Sequence, residues 1–141
     1  MREIKFRAWS KKGMMMYDVA LLRYFKKLER VGLFHNDFRY NGFTQVELES
    51  VALMQFTGLK DKNGKEIYEG DIFDCIYKRD GCNHKLLVVW DEESACFRIK
   101  GYGNCDQPNV TQTMLDIQRK EVIGNIYENP EFALDKQGEP K

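Results

Sequence analysis

Between residues 51 and 127 the chain is cut into short apolar runs by turn-forming residues, which directs it to a small antiparallel β structure. Val51 to Phe56, Ile72 to Tyr77, Lys85 to Trp90, Ala95 to Lys100 and Glu121 to Tyr127 each read as a strand. Between them lie Asp61-Lys62-Asn63-Gly64-Lys65, Glu69-Gly70-Asp71 and Asp91-Glu92-Glu93-Ser94. In the first of these turns Asn-Gly supplies the positive φ values. Gly124, inside the last run, marks a bulge or bend. Short strands joined by tight turns suit a closed sheet, because closure removes exposed edges. An SH3-like small barrel is the best fit.

The N-terminal part carries its own pattern. Ile4, Phe6 and Ala8 alternate with Lys5, Arg7 and Trp9, Ser10-Lys11-Lys12-Gly13 turns the chain, and Met14 to Val19 returns it as a hairpin. The Met14-Met15-Met16 run suits either an adaptable binding surface or gaps in a core, and the core is the expected place. Over residues 20–30 the period changes: Leu21, Leu22, Tyr24, Phe25 and Leu28 share one helical face, and Gly32 is placed to end the helix. Residues 33–43 and 101–109 read as loops, 110–120 include a possible short helix, and Pro130 to Leu134 a last helical turn. The expected fold is mainly β: an N-terminal hairpin and short helix over 1–50 packed on an SH3-like barrel over 51–135, with a frayed tail at 136–141.

Hydrophobic residues make up 43% of 141, which excludes a disordered chain. No apolar run approaches the roughly 20 residues that span a bilayer, and the start lacks an apolar signal region. A soluble intracellular protein without a membrane partner is therefore expected. The net charge of zero hides a polarity. Residues 1–30 hold nine Lys/Arg and three acids, a balance of +6 that the remainder offsets with −6. Arg7, Trp9, Lys11, Lys12, Arg23, Lys26 and Lys27 interleave charge with aromatic character, a combination able to track phosphates and stack bases. The pI of 6.7 weighs against nucleic acid, since such domains are commonly basic throughout. The same split lets the basic end of one subunit meet the acidic end of another, so a homo-oligomer held mainly by apolar contacts is expected.

Little points to catalysis. Cys82-Asn83-His84 offers two zinc ligands that Cys75, Cys96 or Cys105 could complete, but paired short spacings are missing and the thiols are expected reduced and metal-free. A Cys105–His84 dyad is combinatorially available, with nothing to bring it together. Glu66, Glu69, Asp71 and Asp74 form an acidic cluster, and a metal-dependent enzyme around Glu66, Glu69 and Asp71 is the enzymatic alternative. These acids are expected on the solvent side of a turn and strand. No catalytic residue and no cofactor is assigned.

Two stretches carry a family resemblance. One runs from Leu53-Met54-Gln55-Phe56-Thr57-Gly58-Leu59-Lys60-Asp61-Lys62-Asn63-Gly64 to Lys65-Glu66-Ile67-Tyr68-Glu69-Gly70-Asp71-Ile72. The other is Glu121-Val122-Ile123-Gly124-Asn125-Ile126-Tyr127-Glu128-Asn129-Pro130-Glu131. With Ile4-Lys5-Phe6-Arg7-Ala8-Trp9, they resemble the YopX family of phage and prophage proteins. The resemblance implies a C-terminal SH3-type barrel, a bacteriophage or mobile-element origin and the cytoplasm of a host bacterial cell. It supplies no activity and no catalytic residue. The expected role is a non-enzymatic accessory protein that binds another macromolecule, such as a phage or host protein, with nucleic acid the alternative. The 57–71 segment is expected to be structural rather than a binding loop.

Overall fold

The computed structural model describes residues 3–25, 27–34, 43–76, 83–101 and 120–132. The described chain is mainly β, with antiparallel sheets, and divides into two compact units, Met1–Gln55 and Phe56–Lys141. The first unit holds β1 (Phe6–Ser10), β2 (Met15–Phe25), β3 (Lys27–Phe34), β4 (Phe43–Glu47) and the start of β5 (Val51–Lys60), in the order β4-β3-β2-β1-β5. A 3-10 turn at Leu48–Ser50 leads β4 into β5, which pairs along β1. Strand alternation turns Ala8, Val31, Leu33 and Val51 into one cluster, with Tyr17, Val19, Leu22 and Leu53 packed on it.

Residues 20–30 correct the expected helix. Residues 20–25 and 27–30 lie in the paired strands β2 and β3, and Gly32, expected to end a helix, lies within β3 opposite Leu21 and Gln45. The register slips between Val19 and Leu21, which leaves Ala20 unpaired as a bulge. Across a bulge the core-facing positions change parity, so Val19 and Leu22 both reach the core three residues apart. That local spacing of three imitates a helical period.

In the second unit β6 (Glu66–Tyr68) folds back on the end of β5. Strands β7 (Asp71–Ile76), β8 (Asn83–Asp91), β9 (Cys96–Gly101) and β10 (Val122–Asn125) form a sheet of order β10-β7-β8-β9. Three hairpin-connected strands with the fourth returned beside the first make a Greek key. Among the described residues no pairing joins β9 to β10 to close this sheet as a barrel. Ile67, Phe73, Leu86, Val88, Phe97, Ile99 and Val122 form its core, each large side chain contributing about 1.5–3 kcal/mol on burial. The 3-10 turn at Pro130–Phe132 sets the Phe132 ring under the Lys85 ammonium, 4.8 Å from the ring centroid. Residues 102–119, including the 101–109 loop and the undecided 110–120 stretch, lie outside the described residues apart from Gly101 and Lys120.

The two long motifs are explained by backbone hydrogen bonds. Asp61 is buried, and its Oδ1 accepts the N–H groups of Asn63 (2.8 Å) and Lys65 (2.9 Å). Its Oδ2 accepts the N–H of Val122 (3.1 Å), so one carboxylate closes a turn and anchors β10. Burial pushes the Asp61 pKa up. The hydrogen bonds from Val122, Lys65 and Asn63 and the Lys65 charge pull it down further, leaving it below the ordinary value. Gly70, at φ 80°, donates its N–H to Val88 and accepts from Ile126. Asn125 Oδ1 accepts the N–H groups of Tyr127 and Glu128, both at 3.0 Å, and Asn129 Oδ1 accepts that of Asn125 at 3.3 Å. Gly124 leaves room for this contact: a Cβ there would lie 2.1 Å from Asn129 Oδ1. The bulge expected at Gly124 is present as a register shift between Val122 and Gly124.

Two stability outcomes follow. Asp61 titrates lower when folded than at its unfolded value near 3.9, so its contribution is complete above about pH 5 and lost as pH falls through the folded pKa. In urea melts, Asp61→Asn is expected to cost about 1–3 kcal/mol at pH 7 and to show a shallower loss towards pH 2. An unchanged acid limb would contradict that role. Gly124→Ala is expected to cost about 1–2 kcal/mol alone and clearly less in an Asn129→Ala background, measured as a thermal double-mutant cycle. Additive costs would show that the Asn129 contact does not require the glycine.

Candidate functional site

The β1–β2 and β8–β9 hairpins close on loops of the same form. Four residues, Lys11–Met14 in one and Glu92–Ala95 in the other, join the end pairs Ser10↔Met15 and Asp91↔Cys96. In each, the last residue of the first strand accepts an N–H from three positions on. Ser10 Oγ takes that of Gly13 at 3.0 Å, and Asp91 Oδ1 that of Ser94 at 2.9 Å. In each, the last loop residue adopts positive φ without being glycine, 51° at Met14 and 49° at Ala95. Such a conformation costs roughly 1–2 kcal/mol.

The loops carry opposite charge. Lys11 and Lys12 are exposed on the first, and Met14 and Met15 beside them are 65% and 56% exposed. This loop is fastened at its base: Lys11 donates its N–H to Ser50 O (3.1 Å) and its ammonium to Glu49 O (2.9 Å). Glu92 and Glu93 are exposed on the second. Next to them Trp90, 38% exposed, packs edge-on against Phe97 with ring centroids 5.0 Å apart. The Ser94 backbone hydrogen bond, outweighing burial and aided by Arg98, holds the Asp91 carboxyl below its ordinary pKa. Arg98 donates to Asp91 Oδ2 at 2.8 Å. The methionine run therefore departs from expectation. Met14 belongs to the turn and Met15 to the solvated end pair, so only Met16 is half-buried.

The seven residues proposed for nucleic acid are divided by the fold. Arg7 is half-buried in β1 opposite Asp18 and Met54. Trp9 is 7% exposed, so its ring has little surface on which to stack a base. Lys11 and Lys12 sit on the first loop. Arg23 lies opposite Arg30 and Lys27 opposite Phe25, at the far end of β2, while Lys26 lies outside the described residues. An eleven-residue strand is over roughly 30 Å long, so these residues form two groups rather than one basic surface. Arg30 is paired with Glu47 at 2.9 Å.

The acidic cluster is likewise taken apart. Asp71, expected on the solvent side, is fully buried and accepts the Tyr68 N–H at 2.8 Å, closing the turn around Gly70. Glu66 accepts the Tyr68 hydroxyl at 2.9 Å, and Asp74 is ion-paired with Lys85. Glu69 is half-buried; burial, aided by the Glu69 charge, raises the Tyr127 pKa. Among the described residues no three His, Cys, Asp or Glu side chains gather as a metal site, so Glu66, Glu69 and Asp71 do not make one. Cys75 is opposite His84 in the β7–β8 register and Cys96 opposite Asp91. Cys82 and Cys105 lie outside the described residues, and with them the Cys82–His84 pair and the Cys105–His84 dyad. No helix among the described residues is long and apolar enough to cross a membrane.

The likeness of the two loops is not apparent from sequence, although both read as charged turns between alternating runs. Their common signal is three polar or small residues after a Ser or Asp whose side chain can accept an N–H. No curated protein matches the chain. The crystal structure of protein EF1440 from Enterococcus faecalis is similar in fold, with a TM-score of 0.65 and 25% identity over 93% of this chain and 98% of that one. The family model described as YopX protein matches residues 5–133. A match of that extent takes in both motifs and the opening strand, and the chain belongs to the YopX family.

Proposed function

We propose that this YopX-family chain is a non-enzymatic accessory protein of phage or prophage origin, acting in the host cytoplasm and binding another protein through its β1–β2 loop. The observation that carries this reading is Met14. Its position has φ 51°, where glycine is the residue without steric cost, yet it holds an apolar side chain 65% exposed. Met15 extends the exposed apolar surface, and Lys11 and Lys12 frame it. Flexible thioether chains adapt to irregular partner surfaces, and the fastened base of the loop limits the ordering cost of binding. A protein is favoured over nucleic acid because the Trp9 ring is buried and the basic residues lie in two groups. A non-enzymatic role is supported by the acids themselves: Asp71, Glu66 and Asp74 are engaged in a turn, a tyrosine hydrogen bond and an ion pair. An SH3-like barrel for the second unit belongs to the same reading, supported by the short strands and tight turns of β6 to β10 around one core.

A photo-crosslinking residue in place of Met15, in bacterial host cells, is expected to yield protein adducts that the same residue at exposed Asn63 does not. Met14→Gly is expected to keep or raise stability by about 0.5–1 kcal/mol while reducing those adducts. Adducts no more abundant than at Asn63, or adducts to nucleic acid alone, would overturn the proposal.

A further inference from the structure

We infer that the protein bound by the β1–β2 loop is a second copy of this chain, engaged through its β8–β9 loop. The inference rests on the reading of the β1–β2 loop as a protein-binding element. The two loops share one backbone form and differ in sign: Lys11 and Lys12 are exposed on one, Glu92 and Glu93 on the other. Each places exposed apolar surface beside its charges, Met14 and Met15 in the first and Trp90 in the second. Methionine sulfur against an aromatic edge is a favourable contact, and a lysine ammonium over an indole face is another. Trp90 is supported from behind by Phe97, with centroids 5.0 Å apart, so it meets a partner as a fixed platform. Arg98 and the Ser94 N–H engage Asp91 at the base of the loop, while the Glu92 and Glu93 side chains stay exposed for a partner.

Like loops repel and unlike loops attract, so the first loop of one copy meets the second loop of another. Made reciprocally, such a contact closes a two-fold dimer; repeated in one direction, it closes a ring or extends a chain. Charge steers the encounter, and the Met–Trp contact slows dissociation. A loop-to-loop contact is smaller than the roughly 1,200 Å² of a standard interface, so association is expected between about 10 and 500 μM.

Sedimentation velocity on the full chain over that range tests this. The wild-type mass should rise with concentration above 16.6 kDa. Lys11→Glu/Lys12→Glu has two acidic loops and Glu92→Lys/Glu93→Lys two basic ones, so each alone should remain monomeric. An equimolar mixture of the two variants should associate again. Trp90→Ala should weaken association about tenfold without changing charge. Circular dichroism melts confirm that each variant is folded. A wild-type monomer throughout the range, association indifferent to both charge reversals, or a mixture that stays monomeric would overturn the inference. Loss of association with the lysine pair alone would overturn it too, while leaving the β1–β2 loop as a protein-binding element. Lack of Met15 cross-links to any protein would remove that underlying reading as well.

Discussion

One buried carboxylate joins parts of the second unit that are far apart in sequence. Asp61 accepts hydrogen bonds from its own turn and from Val122, 61 positions away. The fourth strand of the Greek key has a long connection and must find its place beside β7. A charged acceptor aimed at the first N–H of β10 defines that register, and a hydrogen bond to a charged group is worth about 1.5–3 kcal/mol. Lys62 reinforces the link from either side, its N–H donating to Lys120 O at 3.1 Å and its ammonium pairing with Glu121 at 2.5 Å. The pair is exposed and adds little by itself. Around this anchor, Gly70 and the Asn125–Asn129 turn secure the neighbouring strand ends.

This arrangement separates residues that make the fold from residues that lie exposed on loops. The long family motifs fall in the first group: Thr57 donates to Ile67 O at 2.8 Å, Asp61 and Asp71 are buried acceptors, and Gly124 makes way for Asn129. The exposed ends of two hairpins fall in the second group. There the chain keeps methionine where glycine would suit the backbone better, and gathers unlike charge on loops of like shape. Rigid sheets presenting short loops are a common way to hold a binding element in position.

Much of the fold is legible in the sequence. Alternation marks β1, β5, β7, β8 and β9 near their observed places, and turn residues mark the connections. Gly124 is recognisable as a bulge because a glycine inside a strand has no side chain to pack and so signals a bend or a close approach. Residues 20–30 imitate a helix because Leu21, Tyr24, Phe25 and Leu28 fall three and four residues apart in the sequence, and the bulge at Ala20 interrupts the strand alternation that would have marked β2. The basic segment resembles one surface because sequence proximity hides the length of a strand. Lys11 and Arg23 are close in the chain, yet Lys11 lies just before one end of β2 and Arg23 near the other.

The sequence alone determined the β class, the turns at 61–65, 69–71 and 91–94 and the family, because alternation and turn chemistry act over a few residues. Tertiary structure decided what each polar side chain does. Asp61, Asp71 and Glu66 look alike as acids in a hydrophilic stretch, yet one anchors a distant strand, one closes a buried turn and one receives a tyrosine hydroxyl. Trp9 and Trp90 likewise differ only in what covers them, 7% exposed against 38%. Burial and hydrogen-bond partners depend on residues far away in the chain, and that dependence is why local pattern could name the strands but not the surface they present.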